Sequence, residues 1–405
     1  MSPRTLSIAL LAAFAVVGVG CNDGKETKKS AQPSRPMAVA PQDVRALADN
    51  AISAGLAYLR SQQADDGSIG GNFTTAFTAM AVKAMVQAGE PADSPSVAKA
   101  IAFILSAQQT EGPLRGAFAD KQYANYNTSI ALSTLCLVNS KLADKPHDSA
   151  IKAGLDFLRR DQWDESEGIT EANAAYGGFG YGDGERPDMS STNTTYDALD
   201  ALVAAGYITR DDPMFEKGKV FLQRNQNRSE SNDVGTFAVG NDGGFIYTPA
   251  VSPSRGGAES KAGSVTLPDG RSGLRSYGSM TYAGFKSYVY SGLTMDDPRV
   301  QDAFNWIRES YTLQVNPGMP EAQIHEGLFY YYHTFARALR AAKVDTIIDP
   351  AGVAHDWRAD LVRQFGALQK SDGSWVNTDP RWGEDNPILA TCFAVLALQE
   401  AVATD

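Results

Sequence analysis

Apolar and polar positions along this chain fall into helical phase, and the phase recurs six times. In one set of stretches apolar residues stand three and four apart on a single face, as in Ile52, Leu56 and Leu59 or Ile151, Leu155 and Leu158. That is the pattern of an amphipathic helix. These stretches end in an aromatic-aliphatic pair, followed after three spacer residues by a glutamine. The pairs are Tyr58-Leu59 with Gln63, Phe103-Ile104 with Gln108, Phe157-Leu158 with Gln162, and Phe221-Leu222 with Gln226. In the fifth copy Trp306-Ile307 is followed by Tyr311 at the glutamine position. The sixth keeps Phe365 and Gln369, with Gln364 where the aromatic of the pair would stand.

After each turn comes a second helix of different character. A Thr-x-x-Ala step marks it at Thr78, Thr128, Thr195 and Thr391, with Thr281 and His333 in the corresponding places of the fourth and fifth copies. Small residues follow on one face, as in Ala394, Ala397 and Ala401, which lets such helices approach closely. A unit of this kind buries its apolar face only against its neighbours. Six hairpins with no polar cap at either end predict an all-α fold, an (α/α)6 toroid of inner and outer rings. The six step residues, Thr78, Thr128, Thr195, Thr281, His333 and Thr391, are expected to form a ring near one end of the inner barrel.

In the sixth copy Phe365, Gln369, Gly373 and Trp375 stand at the spacing of the QW motif. Residues 46–402 as a whole resemble the repeats of the terpene cyclase and protein prenyltransferase superfamily. The resemblance implies a structural role for the glutamine, tying a helix end to the turn that follows. It also implies two catalytic centres to look for. The segment Tyr332-His333-Thr334 resembles the stretch that supplies a zinc-ligating histidine in prenyltransferase β subunits, which would make His333 that ligand. The partner Asp and Cys should then fall near positions 279–283, where Met280 and Tyr282 stand. One histidine does not make a zinc site, so no metal and no other cofactor is expected. Class II cyclases carry an Asp-x-Asp-Asp motif followed by Thr, and the nearest stretch here begins at Asp188. The place of the proton donor is then taken by Ser190 or, in the other register, by Asn193. Neither is an acid. Asp188 and His333 remain the catalytic candidates, Asp188 alternatively as a turn or cap residue.

The chain ends and the interruptions add further expectations. Residues 1–20 read as an export signal of the lipoprotein type, with Arg4, an apolar run, and Gly18-Val19-Gly20 before Cys21. Cys21 is the expected lipidation site, and residues 21–45, rich in Lys, Ser, Pro and Ala, form a flexible tether. The toroid occupies 46–405, with an insertion at about 227–275 that carries Gly243, Gly244, Pro249, Gly256, Gly257 and Gly270. The protein is accordingly expected at the cell envelope, periplasmic or extracellular, held to the membrane by its lipid. Three cysteines make no disulfide framework. A net charge of -11 spread over the repeats argues against nucleic acid as a partner.

Aromatic residues around the predicted barrel mouth, Tyr282, Tyr330, Tyr332 and Trp382 together with His333, are the candidate ligand-binding set. Aromatic walls suit isoprenoids as well as core packing. The function expected first is the binding of an apolar or isoprenoid-like ligand, or of a protein segment, without the family's catalytic motifs. The alternatives are an enzyme of terpenoid or prenyl chemistry with an unrecognised acid, and a glycan-active toroid using Asp379, Arg381, Glu384 and Asp385.

Replacing Cys21 by Ser is expected to move the protein from the membrane fraction to the soluble fraction, because each buried methylene of an acyl chain contributes about 0.8 kcal/mol. Membrane association that survives the substitution, followed by immunoblot of fractionated cells, would reject lipidation as the anchor.

Overall fold

The structure, a computed structural model, describes residues 41–70, 74–119, 123–182, 184, 186–252 and 256–404. The signal-like segment, Cys21 and most of the tether lie outside the described residues. Twelve α-helices alternate between two concentric rings. The outer ring holds α1 (Pro41–Ser61), α3 (Pro95–Ser106), α5 (Asp148–Asp161), α7 (Pro213–Asn225), α9 (Pro298–Glu309) and α11 (Trp357–Leu368). The inner ring holds α2 (Thr74–Gln87), α4 (Ala124–Ser140), α6 (Met189–Ala204), α8 (Gly278–Tyr290), α10 (Leu328–Ala341) and α12 (Pro387–Val402). Each inner helix packs against the next, and α12 packs back against α2, so the ring closes as an (α/α)6 toroid. No described helix is long and apolar enough to cross a membrane.

The outer helices begin where their sequence says they should. Ser94, Asp212, Asp297 and Asp356 each cap a helix by accepting a backbone N–H of its first turn, and proline opens α3, α7 and α9. The inner helices are buried on most sides. Their small residues, among them Ala79, Ala81, Ala394 and Ala397, are fully covered where neighbouring helices touch.

Between the rings the glutamines act as clamps. The side-chain amide of Gln63 donates to the carbonyls of Gly67, in its own turn, and Ser96, in the next outer helix, at 3.2 and 3.0 Å. Gln108 does the same with Gly116 and Ala150, Gln162 with Gly177 and Met214, and Gln226 with Gly243 and Arg299. Gln369 bonds Gly373 and Ala51, joining the last repeat to the first. In the fifth repeat the Tyr311 hydroxyl donates to Asp360 of α11 at 2.9 Å, spanning the same gap by other means. The turn glycine of the fourth repeat, missing at its usual spacing, is Gly243, on the far side of a polar stretch of the insertion.

Each of these five glycines has positive φ and lies against the backbone of the next outer helix. The closest approach is at Gly177 (φ +80°), where a Cβ would come within 1.9 Å of the Lys217 carbonyl oxygen. Only glycine fits both constraints.

The hydroxyl step of each inner helix fastens the strand-like residue two after that glycine. The hydroxyl oxygens of Thr78, Thr128, Thr281 and Thr391 accept the backbone N–H groups of Ile69, Phe118, Phe245 and Trp375 at 2.8–3.1 Å. Two members of the expected ring are corrected. In the third repeat the equivalent is Thr192, which accepts from Phe179 at 3.1 Å; Thr195 lies one turn further on and bonds Asn125. Thr192 and Thr195 sit three apart on one helix face, so spacing alone does not choose between them. In the fifth repeat the outward-reaching residue is Tyr332, whose phenol donates to the Leu313 carbonyl at 2.6 Å. His333, one residue on, is rotated toward the axis.

The insertion between α7 and α8 is ordered where described, with a short antiparallel hairpin of β1 (Ser264–Thr266) and β2 (Ser272–Leu274). Buried Arg186 ties it down, donating to the carbonyls of Ala250 and Gly257 and pairing with Glu259.

Gly177→Ala is expected to destabilise the fold by about 1–3 kcal/mol, against a smaller loss for Gly206→Ala. The latter glycine also has positive φ but nothing within 4 Å of its would-be Cβ. Urea midpoints compare the two; equal losses would show that close approach to α7 is not the constraint.

Candidate functional site

A cavity of about 460 Å³ runs down the middle of the inner ring. Its lining follows from the hydroxyl register of Thr78, Thr128, Thr192, Thr281, Tyr332 and Thr391. Two residues before these positions, Ala76, Tyr126, Ser190, Ser279, Tyr330 and Leu389 all face the cavity and form its upper layer. Five residues after them stand Lys83, Ser133, Asp197, Lys286, Arg337 and Leu396. All but Lys286 line the floor, and Lys286 lies directly beneath it, fully buried against Asp197. Between the layers are Met80, Ile130, Asn193, His333 and Phe393.

Three hydroxyls of the upper layer cluster with the Asn193 amide just below them. Tyr126 and Ser190 share a short hydrogen bond, and the Tyr330 hydroxyl accepts from Asn193 Nδ2 at 2.9 Å and lies 3.4 Å from Ser190 Oγ. Asn193 Oδ1 is buried without a partner. Above it the rim is aromatic: Tyr123, Tyr181, Tyr277 and Trp382, with Tyr247 and Lys261 contributed by the insertion, the ammonium 4.2 Å from the Tyr247 ring centre. Tyr123 (φ +55°) and Trp382 (φ +58°) are two of the four described non-glycine residues in the left-handed region. Such backbone costs about 1–3 kcal/mol per residue. The Trp382 indole, 44% exposed, lies against Gly327, where a Cβ would come within 3.0 Å of it.

The floor is charged. Asp197 receives Lys286 at 2.5 Å and Arg337 at 3.3 Å, and Arg337 also donates to the Tyr290 hydroxyl. Burial pushes the Asp197 carboxyl up, but Arg337 and Lys286 more than offset it and hold the group down at about 2. Lys83 donates to Ser133 Oγ at 2.6 Å and keeps part of its surface open to the cavity. Burial, reinforced by the nearby Arg337, lowers it to about 7. Burial also carries His333 well below the ordinary histidine range, again with Arg337 adding to the effect, so its ring is neutral. The Nε2 of His333 and the Nε of Arg337 are buried without partners.

The candidates drawn from sequence divide between cavity and wall. Tyr330, His333 and Trp382 line the cavity. Tyr282 does not: it leans from α8 onto α10, its ring 5.6 Å from that of Tyr331 and 5.0 Å from that of Phe335. Tyr332 points away from the cavity, donating to Leu313 in the turn after α9 and accepting from Gln364 of the outer helix α11. Asp188 is the N-cap of α6, its carboxylate accepting the Ser191 backbone N–H at 2.8 Å, and burial pushes it up to about 6. Ser190 and Asn193, at the two registers of the missing cyclase acid, both reach the cavity, as a hydroxyl and an amide. No group of three or more His, Cys, Asp or Glu among the described residues is placed to hold a metal ion. Of the glycan-type candidates only Glu384 lines the cavity; its oxygens accept the N–H groups of Tyr330 and Phe329 and the amide of Asn377, against burial that raises it to about 7. The floor cations went unsuspected in the sequence. Their signal was a lone charge within an apolar helix, as in Ala81-Val82-Lys83-Ala84-Met85.

Residues 64–246 match the family model of the squalene-hopene cyclase C-terminal domain. No curated protein matches the chain in sequence. Among solved structures, a variant of the type II terpene cyclase MstE from Scytonema, in complex with geranylgeranyl dihydroxybenzoate as substrate, superposes with a TM-score of 0.53. It shares 12% identity over 89% of this chain and 99% of that one. The GH76A alpha-1,6-mannanase from Salegentibacter sp. HEL1_6 superposes with a TM-score of 0.55 at 11% identity, over 89% and 98% of the two chains. The helical ring is that of the terpenoid cyclase and prenyltransferase-like toroids. At these identities the likeness to the solved structures is one of fold, and a glycosidase shares it.

Lys83 binds its proton less tightly in the folded chain than its ordinary 10.5, so stability rises as pH climbs from about 7 toward that value. Arg337 and His333 of α10 and Lys286 of α8 act on it from across the ring, with Asp197 of α6 and Glu400 of α12 as the anions. Lys83→Met is expected to raise the thermal midpoint at about pH 6 and to lose most of that gain at about pH 10. An equal gain at both values would show that the lysine charge is not its source.

Proposed function

We propose that the toroid binds an apolar, isoprenoid-like ligand in its central cavity and does not apply the proton-initiated chemistry of type II cyclases to it. The observation that carries this reading is the combination of an apolar, aromatic-rimmed chamber with an internal carboxylate, Asp197, that two cations keep ionised. A carboxylate held at about 2 does not protonate an alkene. Volume and lining suit a small apolar molecule, and the fold neighbour MstE is described with a geranylgeranyl substrate. In the same proposal the ring is held at the cell envelope by a lipid on Cys21, with the residues up to the start of α1 at Pro41 as its tether.

A second reading, an enzyme of terpenoid or prenyl chemistry, is favoured by one observation. Glu384 is a buried carboxyl in the cavity wall, raised by burial to about 7. Against it, both oxygens already accept N–H donors, which fits an anion fixed at the start of α10.

The purified protein is expected to retain a lipid of polyprenyl type, identified by mass spectrometry of an organic extract, and to bind added farnesol without converting it. Ile130→Trp, which puts a larger side chain into the chamber, is expected to weaken farnesol binding about tenfold or more while leaving the circular dichroism melt cooperative. A retained oligosaccharide or peptide with no farnesol binding would refute the reading. Turnover of a prenyl substrate that disappears in Glu384→Gln would replace it with the enzyme.

A further inference from the structure

The cavity floor carries more positive charge than the fold uses. Three cations, Lys83, Lys286 and Arg337, surround one carboxylate, Asp197, which already takes Lys286 and Arg337. The other charges near that end are matched among themselves, Arg340 with Glu400 at 3.2 Å and Arg210 with Asp200. Lys83 gives a hydrogen bond only to the neutral Ser133 hydroxyl. On α10, across α12 from it, Arg337 Nε and His333 Nε2 are buried polar atoms with no partner among the described residues. Unpaired buried donors and an uncompensated buried cation are both destabilising, so their presence together at the lower end of one cavity calls for something outside the fold to complete them. Above the floor, three of the five residues between the layers, Met80, Ile130 and Phe393, are apolar.

We propose that the floor is a binding site for a single anionic group, a carboxylate or a phosphate, at the end of the apolar ligand, which enters head first and leaves its chain among the apolar walls and the aromatic rim. The inference rests on the cavity being a site for an apolar ligand and adds the chemistry of that ligand's head. The Lys83 ammonium and the Arg337 Nε–H donate to the anion, and the neutral His333 ring donates from Nε2. Ser133, already bonded to Lys83, holds the ammonium in place. An uncharged alcohol of the same chain would leave the excess charge uncompensated and at most two of the three donors satisfied. The same arrangement explains why a lysine that lowers the fold's stability near neutral pH stands at this step of α2, where the equivalent residue of α12 is Leu396.

The test is a comparison of three probes with one chain and different heads, farnesol, farnesoic acid and farnesyl monophosphate, titrated into the purified protein at about pH 6.5 by calorimetry or tyrosine and tryptophan fluorescence. At least one of the two acids is expected to bind about tenfold or more tightly than the alcohol, the scale of a charge-assisted hydrogen bond. The acid with the larger advantage identifies the head as carboxylate or phosphate. Lys83→Met is expected to weaken that acid at least as much more than it weakens farnesol. Binding of farnesol as tight as that of both acids would overturn the anion site while the apolar-ligand reading stands. Failure of all three to bind would overturn both, and an acid preference untouched by Lys83→Met would remove the floor from the explanation.

Discussion

The geometry of the ring depends on one side-chain amide used five times. A glutamine amide nitrogen carries two donors, and here one goes to the turn closing its own repeat and the other to the outer helix of the next. Two bonds from one planar group fix both how the chain turns inward and how far away the next repeat stands. Four of the clamps set the spacing between sequence neighbours. The fifth, from Gln369 to Ala51, crosses 318 positions and closes the circle with the same bond. Glycine at the receiving turn is the other half of this constraint, since the carbonyl of the next outer helix occupies the space a Cβ would need. Where the amide is absent, in the fifth repeat, Tyr311 and Asp360 span the gap with two side chains.

A ring closed in this way presents the same positions of every inner helix to its axis, which makes the cavity readable as layers. Hydroxyls and amides stand near the inner-helix starts, apolar side chains below them, and charges at the level five residues past the hydroxyl step. Aromatic side chains from the turns and the insertion stand around the mouth. Two of them, Tyr123 and Trp382, hold backbone conformations that a free turn would give to glycine. Strain at the rim and unmatched charge at the floor are separate departures from the most stable structure, and both face one chamber.

The repeat architecture was legible because it rests on sequence-local features: apolar periodicity, the aromatic-aliphatic pair, the glutamine, and small residues on the second helix. Less legible was angular register. A slip of one residue turns a helical side chain by about 100°, which is the difference between Tyr332, bonded to the outer ring, and His333, facing the axis. Tyr282 was misplaced for a related reason, since an aromatic residue on an inner helix can fill the seam with its neighbour instead of the cavity. Gly243 was hidden by the insertion, whose length separates it from Gln226 although the bond between them is the ordinary one. The floor charges were visible as letters but not as a group, because they come from different helices and only ring closure brings them together.

The electrostatics of this chamber run opposite to those of a site that starts a carbocation. A proton donor for an alkene has to be a neutral acid in apolar surroundings, kept from ionising by the absence of nearby positive charge. Here the floor carboxylate, Asp197, is accompanied by cations that make its ionised form the stable one, and His333 above it is a neutral base. The wall carboxyl Glu384, raised by burial, already accepts three N–H donors. Cation–π attraction from the aromatic rim would still favour a carbocation, but Arg337 and Lys286 at the floor would oppose it. The same walls and the same floor are compatible with an apolar chain that ends in negative charge. The ring has the fold of the toroids it superposes on, and the charges on its inner face are arranged around an ionised carboxylate.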